Sequence, residues 1–141
     1  MSVQTYTVEV DRVDAEHAQA RVRGFTLDLG ARRADMDAGF NPVETLLSAM
    51  GDCLLTALDF VAELSHASIK EASIALEATR QDKPPLVVGI NYTLRLRSDL
   101  PDERLERLVA LAQSNSTVFQ TVSKAVPVEG RWERAEEVVW E

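Results

Sequence analysis

The sequence is short of the residues on which much enzyme chemistry depends. Cysteine occurs once, as Cys53, and histidine twice, as His17 and His66, in 141 residues. A single cysteine excludes an intrachain disulfide and any cysteine-cluster metal site. The two histidines show no ligand spacing, so no metal and no cofactor is expected. Basic residues are outnumbered, with 15 Lys and Arg against 23 Asp and Glu. The resulting net charge of −8 argues against a nucleic-acid partner, because phosphate binding wants a basic face. No run reaches the roughly 18 apolar residues of a membrane span, so no membrane partner is expected. The opening Met1-Ser2-Val3-Gln4-Thr5 lacks the basic-then-apolar layout of a secretory signal, and a cytoplasmic protein is expected. There is no glycine-rich phosphate loop, no His-Glu-x-x-His pair and no Gly-x-Ser-x-Gly elbow. Glu44 and Asp52 are spaced so as not to form a paired acid and base.

What is present is enough for a proper core. Hydrophobic residues make up 45% of a chain whose length suggests one domain over residues 1–141. The organising stretch is 41–65. Asn41 is an N-cap type, Pro42 stands at the first helical position and Glu44 lies in the first turn. Val43, Leu46, Leu47, Met50, Leu54, Ala57, Leu58, Val61 and Leu64 then recur at helical spacing. They fill an arc of roughly 180°, which predicts a central helix packed on more than one side.

Alternation predicts strands at 5–13, 18–23 and 25–29, an antiparallel meander, and then a polar loop over 30–40. After the helix, strands are predicted at 69–79 and 86–97. In the second, Val88, Ile90, Tyr92, Leu94 and Leu96 share one face. A helix opening near Pro101 follows, then a short helix over 116–126 capped by Asn115 or Ser116, and a last strand over 128–133. The tail 134–141 is acidic with Val138, Val139 and Trp140, and is expected to cap a sheet edge or a partner subunit. Segregated strands and helices mean an α+β fold.

Cys53 falls in mid-helix at the margin of the apolar arc. Free cysteine is among the most buried residue types, so a small core hydrophobe is one reading. The other is a thiolate at a cleft, which requires a nearby cation or helix N-terminus. The neighbouring sequence offers no cation.

The run 37–53, Asp-Ala-Gly-Phe-Asn-Pro-Val-Glu-Thr-Leu-Leu-Ser-Ala-Met-Gly-Asp-Cys, resembles the signature of the OsmC/Ohr family. The pattern is a Gly/Asp loop, Asn-Pro or Ser-Pro, a Glu-Leu-Leu-like turn, small residues and a cysteine in mid-helix. Ser116-Thr117-Val118 with Val126-Pro127-Val128 is similar to the family's second block, which usually opens with a cysteine. The resemblance implies an intertwined homodimer with two sites at its interface. It also implies reduction of hydroperoxides: one cysteine attacks the peroxide, a second resolves the sulfenic acid, and a dithiol regenerates the pair. An arginine from the N-terminal strands and a glutamate near the helix start assist.

This chain departs from that pattern. Cys53 matches the first cysteine, but Ser116 stands where the second is expected, and serine cannot close a disulfide. Glu44 stands one position beyond the family's glutamate, where this chain has Val43. Arg21, Arg23, Arg32 and Arg33 are the arginine candidates, with Arg23 taken as the site residue. Two functions follow as expectations. One is hydroperoxide reduction through Cys53 alone, an external thiol or dithiol resolving the sulfenic acid. The other is a non-catalytic member that binds a small apolar or acyl ligand at a pocket lined by Met50, Leu54, Phe60 and Phe119.

Overall fold

The computed structural model describes residues 2–135. The end of the predicted acidic tail, 136–141, lies outside the described residues. Contacts divide the chain into two compact units, Met1–Leu46 and Leu47–Glu141.

The N-terminal unit is a three-stranded antiparallel meander of β1 (Glu9–Arg12), β2 (His17–Val22) and β3 (Phe25–Gly30), in the order β1-β2-β3. The first strand is shorter than its alternation predicts. It begins at Glu9, which pairs with Arg21 beside the end of β2, so Tyr6 and Val8 lie beyond the paired segment. The β1–β2 turn is fixed by Asp14, whose Oδ1 accepts from the Glu16 and His17 backbone N–H groups at 2.8 and 2.9 Å. The β2–β3 turn is the pair Arg23-Gly24, both at positive φ (52° and 100°), which suits a two-residue hairpin. Register places Val10, Ala20 and Leu27 in line across the sheet, with Ala18 and Leu29, and Val22 and Phe25, beside them. Glu9, Asp11, Gln19, Arg21, Thr26 and Asp28 occupy the other face, where Arg21 pairs with Glu9 and Asp11. The loop that follows is pinned by the Gly30 N–H to the Phe40 carbonyl at 2.9 Å.

Helix α1 (Pro42–Leu64) runs from the end of the first unit into the second. Its start is a capping box. Asn41 Oδ1 accepts from the Glu44 N–H at 2.8 Å, and a Glu44 carboxylate oxygen accepts from the Asn41 N–H at 2.9 Å. Its end is a left-handed cap at His66 (φ 53°), with Ala67 N–H on the Ala62 carbonyl and His66 N–H on the Glu63 carbonyl. Length and composition alone would let α1 cross a membrane. Seven of its residues, Met50, Gly51, Leu54, Ala57, Leu58, Val61 and Ala62, are instead buried in the chain. They make one stripe, whereas Leu46 and Leu64 of the predicted wide arc are exposed.

In the second unit, β4 (Glu71–Asp82) and β5 (Pro85–Arg97) form an antiparallel hairpin, and β6 (Val128–Arg134) lies parallel to β5. The sheet is thus mixed. Helices α2 (Asp102–Asn115) and α3 (Thr117–Val122) connect β5 to β6. Ile90, Tyr92, Leu94 and Leu96 of β5 join Met50, Leu54, Leu58 and Val61 of α1 and Leu105, Leu108 and Ala112 of α2 in one core. Val88 departs from its predicted face and is 39% exposed. A register shift between Thr79 and Arg80 moves the pairing from Gly89 to Val87, so Val87 packs against the core in its place.

Candidate functional site

Cys53 sits half-buried in the middle of α1. Met50 and Leu54 flank it on the core side. Phe60 and Leu64 follow it by seven and eleven residues, which puts them on the same side of the helix. They are 52% and 66% exposed. The sulfur therefore stands where the packed stripe of α1 meets an open apolar one.

The group that meets the sulfur is a backbone amide. The Val118 N–H donates to Cys53 Sγ at 3.5 Å. Val118 is the second residue of α3, whose N-cap is Ser116. The first N–H groups of any helix lack partners inside it. Here the Phe119 N–H goes to Ser116 Oγ at 3.3 Å, and the Val118 N–H goes to the sulfur. Ser116 is fully buried, and its carbonyl accepts from the Gln120 N–H at 2.9 Å. The first turn of α3, whose N-cap is Ser116, thus reaches the Cys53 sulfur through the Val118 N–H. An N–H aimed at a sulfur is suited to negative charge on that sulfur.

The other two expected site residues belong to the α1 cap and to the β2–β3 turn. Glu44 is part of the capping box that starts α1. Arg23 is in the β2–β3 turn, with its guanidinium 6.0 Å from the centre of the Phe25 ring. Both belong to the N-terminal unit, whereas Cys53 and Ser116 belong to the C-terminal one. Of the remaining arginine candidates, Arg21 is paired with Glu9 and Asp11, and Arg32 lies 3.8 Å from Glu16. Arg33 lines an open hollow of the 31–40 loop. The four residues expected to line an apolar pocket face different surroundings: Met50 and Leu54 are in the core, Phe119 is partly buried against it, and Phe60 is exposed. No group of three or more His, Cys, Asp or Glu placed to hold a metal occurs among the described residues.

The Val118 contact is not legible in the sequence, since a backbone donor has no residue type to reveal it. The support beneath it was equally hidden. Tyr92 is buried in β5 and its hydroxyl accepts from the Gln113 side-chain amide at the end of α2. Burial pushes the Tyr92 phenol above its usual range, with the Gln113 hydrogen bond partly offsetting the shift. The Gln113 carbonyl in turn accepts from the Gln120 side chain at 3.0 Å and ties α2 to α3.

The family model for OsmC-like protein matches residues 34–130, which include both α1 and α3. The chain belongs to the OsmC family. Among solved structures it is similar to an OsmC-like protein from Mycoplasma pneumoniae, at 16% identity and a TM-score of 0.86, covering 93% of this chain and 97% of that one. It is also similar to an organic hydroperoxide resistance protein OsmC from Legionella pneumophila, described as a predicted redox protein, at 18% identity and TM-score 0.76, covering 94% and 99%. The organic hydroperoxide resistance protein OhrB of Bacillus subtilis matches at 21% identity and TM-score 0.68, covering 94% and 100%. None of the curated proteins matches. At these identities the neighbours share the OsmC-like α+β fold with this chain.

Proposed function

We propose that this OsmC-like protein reduces organic hydroperoxides through Cys53 alone, with an external thiol or dithiol completing the cycle. The observation that carries this reading is the contact of the Cys53 sulfur with the Val118 N–H, beside position 116 and at the border of an open apolar stripe. Attack on a peroxide needs negative charge on sulfur, and the amide favours it. The apolar border suits the alkyl part of the peroxide. Two of the solved neighbours are described as organic hydroperoxide resistance proteins, in keeping with this chemistry. Serine at position 116 leaves the sulfenic acid to a thiol from outside the chain.

The same reading makes the working form a homodimer. The apolar face of the β1–β2–β3 sheet and the Phe60–Leu64 side of α1 would be covered by a second copy, and Arg23 or another N-terminal arginine would meet the partner's sulfur across that contact. Turnover of cumene hydroperoxide with dithiothreitol or dihydrolipoamide tests the activity. Activity lost in Cys53→Ser is the expected result. No turnover with either reductant would overturn the reading.

A second reading, a non-catalytic member that binds a small apolar or acyl ligand, draws on Glu44. Its carboxylate accepts from the Asn41 N–H in the α1 cap. This reading predicts saturable binding of an acyl probe by Cys53→Ser as tight as by the native chain, and no peroxide turnover.

A further inference from the structure

Cys53 and the Val118 amide are 65 residues apart in sequence, and the N–H points at the sulfur across 3.5 Å. That N–H takes no part in the hydrogen-bond ladder of α3, because Val118 lies in its first turn. Ser116 Oγ is committed to the neighbouring Phe119 N–H. The place where a resolving thiol is missing therefore holds a backbone nitrogen in contact with the sulfur.

We infer that the sulfenic acid of Cys53 is trapped by the Val118 backbone nitrogen as a reversible sulfenamide, which protects the sulfur until a thiol arrives. The inference rests on the proposed peroxide chemistry. In the first step the Cys53 thiolate attacks one oxygen of the hydroperoxide and the O–O bond breaks. That oxygen stays on sulfur as the sulfenic acid, and the other leaves as the alcohol after taking up a proton. Sulfur is oxidised by two electrons and the peroxide is reduced by two. In the second step the Val118 nitrogen attacks the sulfur, an S–N bond forms and the S–O bond breaks. The hydroxyl leaves with the amide proton as water, and no electrons change hands. Condensation of a sulfenic acid with a backbone nitrogen is known chemistry. An external thiol then attacks sulfur, the nitrogen regains its proton, and a second thiol frees Cys53 from the mixed disulfide.

The inference adds a covalent clamp between α1 and α3 that replaces the missing disulfide. It predicts slower overoxidation to the sulfinic acid, since the trapped sulfur has no hydroxyl for a second peroxide to build on.

The test is intact-mass and peptide analysis of the full chain after one equivalent of cumene hydroperoxide, without thiol and with dimedone present in a parallel sample. The expected product is a single chain lighter by two hydrogens, with its peptides containing Cys53 and Val118 joined and released by dithiothreitol. Dimedone labelling should be transient. Val118→Pro removes the N–H in a turn where proline is tolerated; because that N–H also favours the thiolate, the readout is taken per oxidised chain, where the joined product should be absent and the dimedone share severalfold higher. A lasting dimedone adduct, direct conversion to the sulfinic acid, a disulfide-linked pair of chains, or the same product in Val118→Pro would overturn the sulfenamide while leaving peroxide reduction intact. No mass change and no dimedone adduct would overturn the peroxide reading itself.

Discussion

In the N-terminal unit, Val10, Ala20 and Leu27 line up across three strands, and the face they make is largely in water, with Phe25 and Leu27 67% and 54% exposed. In the C-terminal unit, Ile90, Tyr92, Leu94 and Leu96 alternate along one strand in the same way, and all four are buried under α1 and α2. The patterning is alike, and the second face is buried because α1 and α2 pack on it within their own unit. Three strands with a hydrophobic face are the least that a sheet needs for independent stability. The first unit is thus built as a surface, and the second as a core. That division fits the proposed chemistry, since the sulfur is anchored in the part that holds itself together.

Truncating a leucine in each sheet should separate them most. Leu96→Ala opens a cavity at a fully buried position and should cost about 2–5 kcal/mol, read from urea unfolding at several protein concentrations. Leu27→Ala should cost under about 1 kcal/mol in a single chain. If a second copy covers the sheet, its cost should instead grow as the protein is made more concentrated. A Leu27→Ala loss as large as that of Leu96→Ala and independent of concentration would break the comparison.

The next effect concerns the seam that supports α3. Gly130 of β6 pairs with Tyr92, and a Cβ at Gly130 would overlap the Tyr92 ring. Gly130→Ala should displace the ring and its bond to Gln113, at a cost of about 1–3 kcal/mol. Unchanged thermal stability would show that the ring has room to move. Titration probes the same contact. The folded Tyr92 phenol is raised above its ordinary value, chiefly by burial. The folded state therefore holds this proton more tightly than the unfolded one. Its contribution is fully present below about pH 10 and is lost as pH rises through the folded value. Tyr92→Phe should flatten the alkaline fall in stability, and an unchanged slope would assign that fall to other groups.

Much of this was legible in the residues and some was not, for reasons that differ by element. The α1 start could be read because Asn41, Pro42 and Glu44 are the residue types that a capped helix needs, and the structure forms that cap. Asn115 or Ser116 could be read as the N-cap of α3 for the same reason, and the structure uses Ser116. Val88 was misplaced because strict alternation has no way to register a bulge. The parallel run of β6 beside β5 depends on the path through α2 and α3, which strand periodicity does not encode. The family blocks point to Cys53 and Ser116, yet the atom that touches the sulfur is a main-chain nitrogen with no signature.

A smaller effect is expected at the end of α1. His66 holds a left-handed conformation that glycine adopts without strain, so His66→Gly should raise stability by about 1 kcal/mol. A loss would mean that the imidazole makes a contact worth more than the backbone relief.

The smallest effect belongs to the turn between β1 and β2, where the exposed His17 ring lies 2.8 Å from Asp14. The Asp14 carboxyl is held below the usual carboxylate range, first by the Glu16 N–H and then by His17. The His17 ring is held above the usual imidazole range, first by its hydrogen bond to Asp14. A depressed carboxylate stabilises the folded turn above its unfolded value and stops doing so as pH falls through the folded one. A raised imidazole stabilises it below its unfolded value and stops as pH rises through the folded one. The turn should therefore be tightest between about pH 4 and pH 6.5. NMR titration of His17 in the native chain and in Asp14→Asn checks this. The His17 midpoint should fall in the variant while the β4–β5 amide shifts stay still. A midpoint that does not move would mean that the pair is not formed in solution. The surface-like unit would then have lost one of the few charged contacts that fix its turns.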